Sequence, residues 1–574
     1  MASEQPRTRD EPTNRQAHID LGHFDAVIVG SGFGGSVMAY RLADAGRKVL
    51  VLERGKAYPP GSFARTPEQM RTNWWAPDDG LYGLYDLWSF KGIEALVSSG
   101  LGGGSLIYAN VFLRKDPSWF VEDLDDGGTR AWPVTYDDLV PHYEAVERMI
   151  GVQTYPFGSS TPKAIALHRA AAVRGHQAFY PPLAVTFANS GAEPAVGEPI
   201  VEEYPNLHGA ARFTCRLVGE CDVGCNWGAK NSLDYNYLSA AKRAGARIET
   251  LHEVTEFEPR DGDGYTVRFE RHDPSDASAQ PGSVTASRLI ISSGALGSPY
   301  LLLRNRELLG GLPARMGTRF SGNGDLLMVA MRCLDEEHEP AAVDPTFGAV
   351  ITSAVRFPDE ADGAPHGARG FYLEDAGYPL FGAWLAESGD VPPAFWRALR
   401  YVWRGFWDRA RGDPRSNLSG EISRIIGDTG LSHSTFPLLS MGRDVADGKM
   451  SLTGNGRLEV DWTTKTSEAY FARVRSEVTA IGNAMGAKEV IDNPLWHLRR
   501  VITVHALGGC PMAARPDEGV VNARDGEVFG HPGLHVADGS VMPSAVGPNP
   551  SLTIAAVSDR FADGILGISA RPPA

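Results

Sequence analysis

The stretch Phe24–Gly55, FDAVIVGSGFGGSVMAYRLADAGRKVLVLERG, limits the fold of this chain more than any other. Ala26 to Val29 is a short apolar run with the length and composition of a buried strand. Gly30-Ser31-Gly32-Phe33-Gly34-Gly35 follows it directly, Ser36 to Ala45 has helical spacing with Gly46 suited to the cap, and Lys48 to Leu52 is a second strand ending in Glu53. In this strand–turn–helix–strand order, Gly30 permits the tight turn, Gly32 lets backbone approach a pyrophosphate, and Gly35 lets helix and strand pack closely. The helix N-terminus presents free N–H groups to phosphate oxygens. Glu53 stands at the distance from which an acid accepts hydrogen bonds from a ribose diol. The alternative is a glycine turn with no ligand; the strand before it, the helix after it and the placed acid favour a dinucleotide site. The motif alone does not separate FAD from NAD.

A chain of 574 residues exceeds one ordinary core, so two large domains are expected. A formal net charge of -15 argues against nucleic acid as a partner, since phosphate binding needs a cationic face. Residues 1–20 are polar and read as a disordered leader with no signal-peptide core. No stretch is long and apolar enough to span a bilayer, which makes the default expectation cytoplasmic.

Ser98–Ser105, SSGLGGGS, is a second glycine-rich loop, open to a flat or phosphorylated ligand or serving as a flexible linker. LHEVTEFEPRDGDGYTVRFERHD reads as strands joined at Asp261–Gly264. Arg288 to Ser292 reads as a strand, followed by a Gly294-Ala295 turn and a helix. Cys215, Cys221 and Cys225 are spaced C-x5-C-x3-C, which fits neither common zinc nor common iron–sulfur patterns, so structural thiols are expected over a metal site. Residues 391–411, VPPAFWRALRYVWRGFWDRAR, place an apolar stripe opposite an arginine stripe with Trp396, Trp403 and Trp407 at the boundary. Two readings stay open there: peripheral contact with a membrane or a lipid-like substrate, or a helix packed on its own domain with a solvated arginine face.

Taken in order, VGSGFGGS, GLGGGSLIYANV, SSGALGSPYLLL, VHALGGCPMA and ADGSVMPSAVGPNPSLTI resemble the glucose–methanol–choline (GMC) flavin oxidoreductases. With HxLGGC, and Asn in the last motif, the resemblance is closest to the cholesterol oxidase branch. It implies a mixed α/β fold: a Rossmann-like FAD-binding domain of the p-hydroxybenzoate hydroxylase type, and a substrate domain with a large antiparallel sheet covered by helices. The implied FAD domain is discontinuous, over 21–60, 95–118, 212–325 and 497–574, and the substrate domain takes 61–94, 119–211 and 326–496. The implied cofactor residues are Gly30, Gly32, Phe33, Gly34, Gly35, Glu53, Gly102, Gly103, Gly104, Ser105, the Val254 backbone, Gly294, Asp538, Gly539, Asn549 and Pro550. With no histidine in GGGSLIYAN, noncovalent FAD is expected.

His505 and Asn549 are the implied polar pair beside the flavin, and Glu374, in GFYLEDAGYP, the implied active-site glutamate. Pro550 suits the first turn of a helix beginning near Ser551, and Pro548 stiffens the approach, so Asn549 is held at a helix end of partial positive charge. That end favours the charge a reduced flavin develops; a plain helix cap is the alternative. His505 can accept the hydroxyl proton as hydride leaves. Glu374 is read three ways: as the base, as a carrier of protons between carbons in a double-bond shift, or as a surface acid beside Asp375. The expected activity is hydride transfer from a secondary alcohol of a small hydrophobic, sterol-like substrate to FAD, with O2 or an electron carrier as acceptor. An FAD-containing isomerase or lyase without net redox, and a non-catalytic FAD-binding protein, are the competing readings.

Overall fold

The computed structural model describes residues 18–124, 128–275, 277–335, 337–339, 341, 343–360, 369–378 and 434–568. The amphipathic stretch 391–411 lies outside the described residues. Among the described residues, no helix is long and apolar enough to cross a membrane.

Two sheets carry the architecture. The first orders its strands Arg247–Glu249, Val49–Leu52, Ile19–Val29, Ser278–Ile291, Tyr265–Asp273 and His252–Pro259, and Leu534–Val536 adds in parallel to the end of Ser278–Ile291. The strands from Arg247–Glu249 through Ser278–Ile291 are parallel. Their central residues Val27, Ile28, Leu50, Val51, Ile290 and Ile291 are fully buried, as expected of a parallel sheet covered on both faces. The helix Phe33–Asp44 packs on this sheet and touches Ser551–Leu566 and Tyr237–Arg243. The carboxyl ends of the parallel strands gather Gly30, Glu53, Ser292 and Ala537 at one edge, where ligands bind in open α/β sheets.

The second sheet is antiparallel and runs Ala178–Phe179, Ala354–Phe357, Phe371–Asp375, Phe436–Gly442, Leu326–Met331 and Glu489–Asp492. One face packs against the helices Pro162–Val173 and Glu468–Ala484 through Phe371, Leu373, Leu438, Met328, Tyr470 and Val474. The other face is read from the register. Phe179, Ala354, Glu374, Leu439 and Leu327 lie directly opposite one another across five strands and share that face. A single carboxyl thus sits in a row of apolar side chains.

The structure shifts some boundaries. Ile19 and Asp20, placed in the disordered leader, are strand residues paired with Gly282 and Ser283, because the neighbouring strand extends far enough to accept them. The first helix begins at Phe33 rather than Ser36, since Gly34 and Gly35 are held helical by packing.

Candidate active site

At the first sheet's edge the two glycine-rich loops meet. Gly30 has φ +96°, a conformation a side chain would strain, and a methyl there would also lie 2.4 Å from the Ser292 carbonyl oxygen. A methyl at Gly34 would sit 1.6 Å from the Ala537 carbonyl oxygen, so helix and strand touch backbone to backbone. A methyl at Gly32 or Gly104 would meet no atom within 4 Å. The Gly102 amide donates to Ser31 Oγ at 2.9 Å, locking one loop to the other. The Ser105 hydroxyl donates to the Gly102 carbonyl and accepts from the Leu233 amide.

Glu53 is buried, accepting from the Ser31 amide and hydroxyl and from the Gly55 amide. Burial pushes its carboxyl up despite those donors. Asp538 accepts from the Gly294 amide, Ser298 Oγ, and the Ser540 amide and hydroxyl, so it joins the Gly294–Arg304 helix start to the Gly539 turn. Val254 follows Leu251 and His252, whose amides donate to the carbonyls of Gly55 and Glu53. Phe33 packs edge-on to Tyr108 at 5.4 Å. An open-sided glycine at a helix N-terminus, a second glycine loop locked above it and a buried acid at the end of the next strand fit an FAD.

The catalytic candidates lie where this edge faces the antiparallel sheet. The Ser551–Leu566 helix starts behind Pro550, whose φ of -79° and ψ of -10° are already helical. Asn549 is buried and its Nδ2 donates to Glu374 Oε2 at 3.3 Å. Glu374 is fully buried, which overturns the surface-acid reading: consecutive strand residues point to opposite faces, so Asp375 turns away to the amides of Thr352 and Ser353. Burial chiefly, and then the charges of Asp375 and Asp325, lift the Glu374 carboxyl to about 8. His505 does not bond Asn549 or Glu374; its Nδ1 lies 2.9 Å from both carboxylate oxygens of Asp325.

Sequence reasoning missed the supports of these groups. Asn323 donates through Nδ2 to the Gly547 and Pro548 carbonyls and accepts from the Gly547 amide at 2.9 Å, clamping the approach to Asn549. Lys115 is fully buried and its Nζ donates to the Ala545 and Val546 carbonyls; burial holds its ammonium well below the usual lysine range. Asp444 accepts from Ser321 Oγ and the Gly322 amide, and burial raises it to about 7. Of these, only the loop character of Ser321–Asp325, SGNGD, is legible beforehand. The three neighbouring cysteines pack with Leu183, Val185 and Phe187 in an apolar cluster, and among the described residues no His/Cys/Asp/Glu group is arranged to hold a metal ion.

Glu374 gives a stability test. Its folded-state carboxyl is raised from 4.5 to about 8, so the folded protein holds a proton that the unfolded chain loses above 4.5. Wild-type stability therefore declines through this group as pH rises from 4.5 to 8 and is flat beyond. Glu374→Gln keeps a neutral partner for Asn549 and removes that decline. Thermal melts of the two proteins should diverge across this window, the variant gaining several degrees at its upper end. A melting difference constant with pH would show that Glu374 titrates as an ordinary carboxylate.

Two segments match family models described as GMC oxidoreductase, residues 210–306 and 446–558, and residues 28–66 match an NAD(P)-binding Rossmann-like domain. Along the whole chain, the sequence is 29% identical to a cholesterol oxidase of Mycobacterium tuberculosis, covering 94% of this chain and 90% of that one. It is 24% identical to a 2-methyl-1,2-propanediol dehydrogenase of Mycolicibacterium austroafricanum, covering 94% and 95%. Among solved structures, a formate oxidase superposes with TM-score 0.59 at 17% identity, over 95% of this chain and 98% of that one.

Proposed function

The chain belongs to the GMC oxidoreductase family and is an FAD-dependent alcohol oxidoreductase, and from that premise we propose that its substrate is the secondary alcohol of a hydrophobic, sterol-like molecule. The observation that carries this reading is the row Phe179, Ala354, Glu374, Leu439 and Leu327, in which one raised carboxyl beside Asn549 sits between apolar side chains on the neighbouring strands. Apolar surface of that extent favours a rigid hydrocarbon over a sugar or choline.

Bound noncovalently by Gly30–Gly35, Glu53, Gly102–Ser105, Val254, Gly294 and Asp538–Gly539, FAD supplies the hydride acceptor. His505 uses its second ring nitrogen, Nε2, to take the proton of the substrate hydroxyl. Asn549 fixes the substrate oxygen or the cofactor edge and donates to Glu374. Glu374, neutral below about 8, serves a second proton step: its deprotonated form takes a proton from carbon next to the new ketone, and its acid form returns it at the far end of a double bond. The discontinuous segments 21–60, 95–118, 212–325 and 497–574 act as the cofactor domain, and 61–94, 119–211 and 326–496 as the substrate domain. O2 or an electron carrier would be the final electron acceptor.

The test is an anaerobic titration of the purified holoprotein with a 3β-hydroxysterol, a long aliphatic alcohol, choline and glucose. Loss of the visible flavin band with the sterol alone is expected, and admitting air then identifies O2 as acceptor or excludes it. Bleaching by choline or glucose without bleaching by the sterol would overturn the substrate class.

A further inference from the structure

We propose that Asp325 is a positioning residue that holds His505 in the Nδ1–H tautomer and thereby makes Nε2 the proton acceptor; this rests on the reading of His505 given above. A carboxylate only accepts, so a ring nitrogen 2.9 Å from both oxygens of Asp325 carries the proton. The imidazole then has a single basic site, on the opposite edge of the ring. Asp325 is itself fixed from three directions: by His505, by the Thr503 hydroxyl at 2.7 Å, and by the Val504 amide at 3.3 Å. The Thr503 hydroxyl also accepts from the His505 amide, so backbone and ring of the histidine are registered to one carboxylate.

Asp325 is 2% exposed and the His505 side chain 12%, so water does little to screen their attraction. Among the described residues, the other charged or titratable groups facing this pair are few. Asp444, Glu374 and Tyr470 interact with Asp325 from adjoining segments. Glu94, on the strand paired with Val501–Thr503, is neutralised by Arg500. Asp444 and Glu374 are themselves lifted to about 7 and about 8, and it is Asp325 whose carboxyl oxygens contact the ring.

The same short segment serves both catalytic candidates. Asn323 clamps Gly547 and Pro548 ahead of Asn549, and Asp325, two residues on, holds His505. Asn323 adopts φ +55° and Gly324 φ +65°, and a methyl at Gly324 would lie 2.5 Å from the Tyr470 hydroxyl. The turn that carries both groups is thus specified by its own packing.

The test compares wild type, Asp325→Asn and Thr503→Val as FAD-loaded proteins. Asp325→Asn keeps the shape and removes the charge. Anaerobic flavin reduction should fall at least about tenfold, with the acid limb of its pH profile moving down by about one pH unit or more. Thr503→Val deprives Asp325 of the hydroxyl donor at 2.7 Å and should move the limb up. A readout independent of turnover is acylation of the unprotonated His505 ring by diethylpyrocarbonate, followed by peptide mass spectrometry across pH, since the chain has 15 histidines. Its midpoint should shift down in Asp325→Asn and up in Thr503→Val, whether or not the variant retains FAD. An unmoved midpoint with reduction within about twofold of wild type would overturn the proposal. Full-rate reduction by His505→Ala would instead remove the reading of His505 as base, while the labelling midpoints still decide what Asp325 does to the ring.

Discussion

His505→Ala reduces its flavin roughly a hundred- to ten-thousandfold more slowly than wild type, the range removed with a positioned general base. The variant should still be yellow. His505 has its contacts to Asp325 and Thr503, and the dinucleotide cradle is built from other residues. The loss should therefore lie in the rate of reduction and not in cofactor content. Glu374→Gln makes the comparison informative, because the two candidates for proton transfer sit in different environments. His505 is partly open and faces a carboxylate; Glu374 is sealed, raised to about 8, and bonded to Asn549. If His505 serves hydride transfer and Glu374 the double-bond shift, Glu374→Gln bleaches with a sterol at near wild-type rate and releases the unshifted ketone. If Glu374→Gln fails to bleach while His505→Ala bleaches normally, the roles are reversed. Stopped-flow absorbance with product analysis by chromatography distinguishes these outcomes.

The parts of this architecture legible in the sequence are those in which neighbouring residues cooperate. The Gly30–Gly35 turn, the strand before it and Glu53 lie within one βαβ unit, and their spacing carries the physical requirement. The Ser551–Leu566 helix is announced by Pro548-Asn549-Pro550 for the same reason. What could not be read is what distant segments do to each other. Asp325 meets His505 across 180 residues and Glu374 meets Asn549 across 175. No local pattern marks Asp325: an acid after Gly-Asn-Gly reads as an exposed turn, and its 2% exposure comes from the sheet and the 503–505 segment closing over it. Of the three readings the sequence leaves open for Glu374, the surface acid beside Asp375 fails because strand alternation sends the two carboxyls to opposite faces and buries both. Lys115 is the same case, a lysine whose partners are carbonyls 430 and 431 residues away.

Gly34→Ala and Gly32→Ala, two residues apart, should fail in opposite ways. At Gly34 the added methyl would lie 1.6 Å from the Ala537 carbonyl oxygen and 3.0 Å from Ser558 Oγ. Ala537 is tied to the sheet through its amide, which donates to Ile291, and through its carbonyl, which accepts from Ser292 Oγ. Backbone on both sides cannot yield, so the helix must leave the sheet, at a cost of about 3 kcal/mol or more. Gly34→Ala is expected to be insoluble or to melt far below wild type, with or without added FAD. Gly32 has φ -69° and ψ -166°, which alanine adopts freely, and its methyl meets no protein atom within 4 Å. Gly32→Ala should therefore fold, its apoprotein melting within about 0.5 kcal/mol of wild type. The space its methyl enters is the helix N-terminus to which the phosphates of FAD would bind, so FAD affinity should drop at least about a hundredfold. Visible-to-ultraviolet absorbance ratios and fluorescence titration of the apoproteins read both quantities. A Gly32→Ala protein that binds FAD as tightly as wild type would place the pyrophosphate elsewhere than at this helix end, even with the fold intact.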